Sequence, residues 1–298
     1  MRAFFYFCPV QWNYLSEAAL RQFVDAALAE DVGEPPDGGD HSSLASVPAH
    51  AQNRARLLIK DEGILAGMTL AQLIFQRVDP ALRVEVQLPD GSPVQPGDIG
   101  FTVSGRAQSI LKAERLVLNC AQRMSGIATQ THRLNQLIAD TGAKLLDTRK
   151  TTPNFRRMEK WAVAIGGGIN HRFGLFDMII LKDNHVDYAG GIRQAIQSTR
   201  EYLRREGRDL AIVVETRTLD EVRDALETGG IFRIMLDNMA PALLKEAVRL
   251  INGRYPTEAS GGITEATIRE VAHCGVNYIS VGALTHSVKS LDISLKAY

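Results

Sequence analysis

Apolar positions along this chain change period twice. Residues 16–31, SEAALRQFVDAALAED, place Leu20, Phe23, Val24, Ala27 and Leu28 at helical spacing behind Ser16, a good N-cap, and predict a helix. Residues 32–43, VGEPPDGGDHSS, read as a Gly/Pro/Asp-rich loop. Over 54–108 the period shortens to two. RARLLIK, RVEVQL and FTVSGRA alternate apolar and polar residues, PDGSPVQPGD at 89–98 is a turn cluster, and 67–77 is helical. This part predicts an α+β unit with a small antiparallel sheet. A long helical pattern at 109–140 follows, with Ser125-Gly126 as a kink or close-packing point.

From residue 143 the rhythm becomes β then α. The apolar runs AKLLDTR, DMIILKD, AIVVETR, FRIMLDN, TEASGG and YISVGA read as buried strands. Helical patterns at 188–206, 218–228, 240–252 and 264–273 separate them, except across 149–177. Such alternation predicts a parallel sheet with crossover helices. Polar residues end these strands at Arg149, Lys182, Glu215, Asp237, Ser260 and Gly282, and the last ends follow at near-equal intervals. Compact, regular βα units favour an α/β barrel over an open doubly wound sheet, with about six strands rather than the usual eight.

Bulk properties exclude several classes of function. The 298 residues suffice for two domains, and 45% hydrophobic content is ordinary for a globular chain. Lys+Arg and Asp+Glu both number 34, so no overall basic excess points to nucleic acid or to an anionic membrane. Cys8, Cys120 and Cys274 are far apart, which fits neither a disulfide framework nor a Cys-rich zinc site and suggests a reducing, cytoplasmic location. No apolar run is long enough for a membrane helix. MRAFFYFCPV at the N-terminus lacks a small-residue cleavage site and reads as an edge strand or a packing segment rather than an export signal.

The C-terminal ends of barrel strands share one rim, where active sites are built. That rule gathers Arg149, Lys150, Lys182, Asp183, Glu215 and Asp237, with His171 and Arg172 from the 149–177 stretch. So many cations imply a ligand with several negative charges, and Glu215 and Asp237 add acceptors suited to sugar hydroxyls or Mg²⁺. Ser260-Gly261-Gly262 before the predicted helix 264–273 offers a phosphate cradle at a helix N-terminus, with Gly282 beside it. Gly166-Gly167-Gly168 lacks dinucleotide-fingerprint spacing and reads as a loop where backbone approaches a ligand.

The stretch 144–185, KLLDTRKTTPNFRRMEKWAVAIGGGINHRFGLFDMIILKDNH, resembles the signature core of quinolinate phosphoribosyltransferases. AERLVLNCAQRMSGIAT (113–129), VETRT (214–218), IMLDNM (234–239), EASGGI (258–263) and SVGALTHS (280–287) extend the likeness over nearly the whole chain from about residue 16. The resemblance implies an N-terminal α/β sandwich domain at 1–125, an open six-stranded barrel at 126–282, and a segment at 283–298 packing back on the first domain. It implies transfer of phosphoribosyl from phosphoribosyl diphosphate to quinolinate with decarboxylation, assisted by Mg²⁺. Arg115, Arg149, His171, Arg172 and Lys182 would hold the quinolinate carboxylates, and Lys150 the diphosphate. Glu215 and Asp237 would bind the ribose and the Mg²⁺ surroundings, and Ser260, Gly261, Gly262 and Gly282 the 5′-phosphate. Lys150, Glu215 and Asp237 would be catalytic. A homodimer with composite sites, and further association of dimers, belong to the same expectation. One departure is the loop 32–43, which carries extra Glu34, Pro35, Pro36 and Asp37 before Asp40-His41-Ser42-Ser43. Other readings of the same barrel are a Lys182 Schiff-base enzyme, a non-catalytic phosphate-ligand sensor, and a nicotinate phosphoribosyltransferase. The last would need fewer cations than Arg149, His171, Arg172 and Lys182 supply.

Overall fold

The structure is a computed structural model that describes residues 14–33 and 36–298. The segment 1–12, with Cys8, and Glu34 and Pro35 of the loop lie outside the described residues. The described chain forms two compact units that interleave in sequence, one made of residues 14–132, 152–167 and 287–298, the other of 133–151 and 168–286.

In the first unit, helix Glu17–Val32 starts at Ser16, whose Oγ accepts from Ala19 N–H at 3.3 Å. Loop 32–43 ends in a short helix, His41–Ser46, capped by the Asp40 carboxylate on Ser43 N–H. The period-2 region gives an antiparallel sheet ordered Ile293–Ala297, Gln52–Ile59, Ile99–Arg106, Arg83–Val86. The C-terminal strand is an edge, with Leu295 opposite Leu57. Leu57, Ile59, Phe101 and Val103 are buried, and Phe101 meets Phe75 of helix Met68–Val78 edge-on at 5.6 Å. Helix Ala107–Ile138 runs through residues 125–126 without a break. Ser125 Oγ accepts from Ala66 N–H and donates to Ala66 C=O, while a Cβ on Gly126 would lie 2.3 Å from Lys289 O. Ser125-Gly126 is therefore a close-packing point within a continuous helix.

Helix Arg156–Ile165 occupies part of the 149–177 stretch, where the pattern shows no element. Its buried face carries Glu159 and Lys160, both fully enclosed, so charges stand where the periodicity requires apolar residues. Glu159 accepts from Arg123 Nε and Nη2 and from the N–H and Oγ1 of Thr152, which satisfies its carboxylate inside the unit.

The second unit holds six parallel strands: Lys144–Leu146, Ile179–Leu181, Ile212–Thr216, Arg233–Asp237, Thr257–Ser260 and Tyr278–Ser280. The first pairs with the sixth, and each later strand with the next, so all crossovers wind one way. A doubly wound sheet would reverse that winding; this order is that of a barrel left open between its first two strands. Residues 169–172 run along the free edge of the first strand. Ile169 N–H bonds Leu145 O at 2.8 Å, and Asp147 N–H bonds Ile169 O. The Gly-rich run thus brings its chain against an otherwise unpaired edge.

Two helical expectations change. The pattern 188–206 is two helices, Asp183–Ala189 and Ile192–Arg205, because Gly190 and Gly191 adopt φ of +90° and +118° between them. The pattern 264–273 shrinks to Ile268–Ala272, since the chain first makes a turn in which Thr264 N–H bonds Thr267 Oγ1.

Candidate functional site

Residues two apart on a strand share a face. Behind Lys182, Glu215 and Asp237 stand Ile180, Val213 and Met235, which pack together with Met178 as the apolar floor. The rim residues are therefore the last members of the inward-facing rows. Parallel direction brings Lys182, Glu215, Asp237, Ser260 and Gly282 to one end of the barrel, as expected.

Adjacent strand ends interact. Lys182 Nζ donates to Glu215 Oε2 at 3.4 Å, and Asp183 N–H to Glu215 Oε1 at 3.4 Å. Burial, reinforced by the charge of Asp237, pushes the Glu215 carboxyl above its ordinary value despite Lys182. Asp237 accepts from Asn238 Nδ2 at 2.6 Å, and Asn238, at φ +52°, leans over Gly261. A Cβ on Gly261 would meet the Asn238 amide at 2.3 Å, and Gly261 itself has φ +91°. Both space and backbone demand glycine there. Across the rim, Lys150 lies over Gly282, where a Cβ would be 3.0 Å from Lys150 Cδ and 3.1 Å from His286. Thr285 Oγ1 donates to Lys150 O at 2.8 Å and fixes that backbone.

The phosphate-cradle expectation is corrected in one respect. Gly261 and Gly262 precede helix Ile268–Ala272 by several residues, so any anion contact there comes from a left-handed turn, with φ of +91° and +60°, rather than from a helix N-terminus.

Arg172 and His171 enter from the seam segment. Asp147 holds this turn, accepting from His171 N–H at 2.7 Å and Asn170 Nδ2 at 2.8 Å. Asp177 accepts from the N–H groups of Phe173 and Gly174. The Arg172 guanidinium is buried, donates to Met178 O at 2.9 Å, and leaves Nε without a partner. Burial, then the like charge of Arg149, lowers its affinity for its proton, against the pull of Asp177. Two guanidiniums thus share one side of the mouth. Arg149 itself is exposed.

His171 is buried and held on both ring nitrogens: Nδ1 accepts from Arg172 N–H at 2.8 Å, and Nε2 lies 3.2 Å from Glu258 Oε2. Arg115 stands exposed on helix Ala107–Ile138 in the other unit. The sequence reading misses Glu258, Arg233, Asp147, Asp177 and Asn238. One signal for Glu258 is present in the sequence: it occupies the inward row two residues before Ser260, where neighbouring strands carry Ile180, Val213 and Met235.

Among the described residues no cluster of three His, Cys, Asp or Glu side chains could hold a metal by itself. Glu215 and Asp237 could complete the coordination of a hard cation that brings its own oxygen ligands. A cation-lined rim with a glycine turn and two such carboxylates suits a phosphorylated sugar together with an anionic partner.

Because the folded state raises the proton affinity of Glu215, its ionised form weakens the fold, and that loss grows as pH rises above the ordinary carboxyl value of 4.5. Glu215→Gln is expected to raise Tm at neutral pH, with the gain shrinking as pH falls towards 4.5, while activity collapses. Thermal unfolding across that range checks this; a Tm loss at pH 7 that is independent of pH would contradict it.

Comparisons with known proteins agree with this geometry. Residues 40–125 match the family model "Quinolinate phosphoribosyl transferase, N-terminal domain" and residues 127–296 its C-terminal domain counterpart. A chloroplastic nicotinate-nucleotide pyrophosphorylase [carboxylating] of Arabidopsis thaliana is 49% identical over 93% of this chain and 82% of its own length. A probable nicotinate-nucleotide pyrophosphorylase [carboxylating] of Bacillus subtilis is 39% identical over 94% of each chain. The crystal structure of NadC from Streptococcus pyogenes superposes with a TM-score of 0.87 at 38% identity, covering 94% of this chain and 96% of that one. The chain belongs to the quinolinate phosphoribosyl transferase family.

Proposed function

We propose that this chain transfers phosphoribosyl from phosphoribosyl diphosphate to the ring nitrogen of quinolinate. The neighbouring carboxylate is lost as CO₂, which gives nicotinate mononucleotide and diphosphate in NAD biosynthesis. The observation that carries this reading is the set of cations at the barrel mouth: the buried Arg172 anchored on Met178 O, exposed Arg149 after the first strand and Lys182 after the second, a set suited to a polycarboxylate. Lys182 extends the same cationic side.

The residues divide the work. Arg149, Arg172 and Lys182 orient the carboxylates, and Lys150, over Gly282, meets the diphosphate. Ser260, Gly261, Gly262 and Gly282 receive the 5′-phosphate on backbone N–H groups. Glu215 and Asp237 take the ribose hydroxyls and would hold Mg²⁺ that arrives with the diphosphate. When bound, Mg²⁺ would supply charge neutralisation of the leaving diphosphate. Lys150 aids that departure, and the two carboxylates favour the positive charge that grows on the ribose. Once the ring nitrogen is alkylated, the pyridinium itself accepts the electrons left by the departing CO₂, so the protein needs only to hold the ring in place. Lys182 is half-exposed with Glu215 as its counter-charge, a setting that suits anion binding better than Schiff-base chemistry.

The direct test is CO₂ release and nicotinate mononucleotide formation with quinolinate and phosphoribosyl diphosphate. Turnover with quinolinate and little with nicotinate is expected; preference for nicotinate would overturn the reading.

A homodimer with composite sites belongs to the same proposal, supported by Arg115, an exposed helical arginine that the family resemblance assigns to quinolinate. A cytoplasmic location is proposed from the buried free thiols Cys120 and Cys274. Mixing inactive Arg115→Ala with inactive Lys182→Ala subunits places both lesions in one site of a mixed dimer and none in the other. Free exchange should restore roughly a quarter of wild-type sites. Exchange without recovery would assign both residues to the same chain's site.

A further inference from the structure

Among the described residues, Glu258 stands in an inward-facing row beneath the rim and is fully enclosed. Its Oε2 accepts from Arg233 Nη1 at 2.8 Å. Arg233 stands at the start of its own strand, 4% exposed, with its guanidinium 4.1 Å above the Tyr278 ring. The same oxygen lies 3.2 Å from His171 Nε2. His171 Nδ1 accepts from Arg172 N–H at 2.8 Å, which leaves that nitrogen unprotonated and puts the proton of the neutral ring on Nε2. A chain of contacts therefore runs from the barrel floor to the rim: Arg233, Glu258, His171, then the backbone of Arg172.

We propose that Glu258 is a positioning residue, which through the His171 ring fixes the tautomer and orientation that hold Arg172 against the substrate carboxylate. His171 is then an internal strut with both ring nitrogens used, and Arg172 is the group of this turn that meets the ligand. The inference rests on the quinolinate reading of the rim and refines it, since the resemblance alone placed His171 on the substrate.

Three further observations fit this assignment. The Arg233 guanidinium, 2.8 Å from Oε2, is a standing counter-charge for the enclosed Glu258 carboxylate and keeps the acceptor ionised. Its Oε1 has no hydrogen-bond partner, as does Arg172 Nε, so the network is not maximised for stability. Asp147 accepts from His171 N–H and Asn170 Nδ2 while Glu258 faces the His171 ring, so the backbone and the imidazole of this residue are each held by a different carboxylate. Orienting a functional group through a histidine whose second nitrogen is fixed by a carboxylate is a recurrent way to lock a tautomer.

A buried ion pair can also be purely structural, and two variants separate the cases. Glu258→Gln removes the charge; the double variant Glu258→Met/Arg233→Met replaces the pair by apolar side chains and is expected to fold, since such exchanges are often neutral for stability. Nitrogen-15 NMR of ring-labelled histidine, with His171 assigned by His171→Gln, reads the tautomer in the wild-type protein directly. The expected result is a ring protonated at Nε2 and not at Nδ1, which saturating quinolinate leaves unchanged. In the double variant Nε2–H loses its acceptor, so its resonance should move away from the wild-type position. KM for quinolinate should rise roughly tenfold or more, as for one misplaced charge-assisted hydrogen bond, with KM for phosphoribosyl diphosphate within about twofold of wild type. A doubly protonated His171 in the wild type, or a folded double variant with wild-type KM for quinolinate, would overturn the assignment. If Glu258→Gln fails to fold, the double variant and the wild-type spectrum still decide. If the chain turns over no quinolinate, the functional reading fails, while the spectrum still judges the Glu258–His171 contact.

Discussion

The gathering of cations at the barrel mouth is the constraint on which the rest depends. Arg149 follows the first strand and Arg172 leaves the seam segment, and burial, with the charge of Arg149, makes the Arg172 charge harder to hold. Parallel strands cannot avoid gathering their C-terminal ends on one rim, so the fold concentrates whatever those ends carry. Here they carry cations on one side, Glu215 and Asp237 on the neighbouring ends, and glycines where Lys150 and Asn238 need room. A mouth built this way favours a ligand with several negative charges, and the side that carries the cations sets that ligand's orientation.

The seam between the first two strands gives the site its asymmetry. A closed barrel would pair them; here residues 169–172 lie along the free edge of Lys144–Leu146, and Arg172 reaches across to Met178 O just before the second strand. Asp147 and Asp177 hold the two ends of this turn by accepting the backbone N–H groups of His171, Phe173 and Gly174, which a stretch without regular structure would otherwise leave unpaired. The site thus combines rigid strand ends with one irregular segment pinned by buried carboxylates.

The rim was legible in the sequence because each buried apolar run stops at a polar residue, and a parallel arrangement turns six separate stops into one ring. The two-residue period of the first unit was legible for a similar reason: burial follows the alternation, as Leu57 and Ile59 show. What stayed hidden were charges placed inside. Glu159 and Lys160 break the helical pattern of Arg156–Ile165, and Glu258 reads like part of a motif when it lies beneath the rim. Long-range partners explain each case: Arg123 for Glu159, Arg233 and His171 for Glu258. Periodicity within one segment carries no information about a partner strands away. Helix Ile268–Ala272 came out shorter than its apolar pattern for a local reason, the Thr264–Thr267 turn that the hydroxyls prefer.

The central claim is that the cationic rim reads two carboxylates on one ring. Calorimetric titration of the protein with quinolinate and with nicotinate, at low and high salt, tests it most directly. Quinolinate is expected to bind at least about tenfold tighter, with an affinity that falls more steeply with salt, because a second carboxylate engages the Arg149–Arg172 side. Equal affinities with equal salt dependence would contradict it.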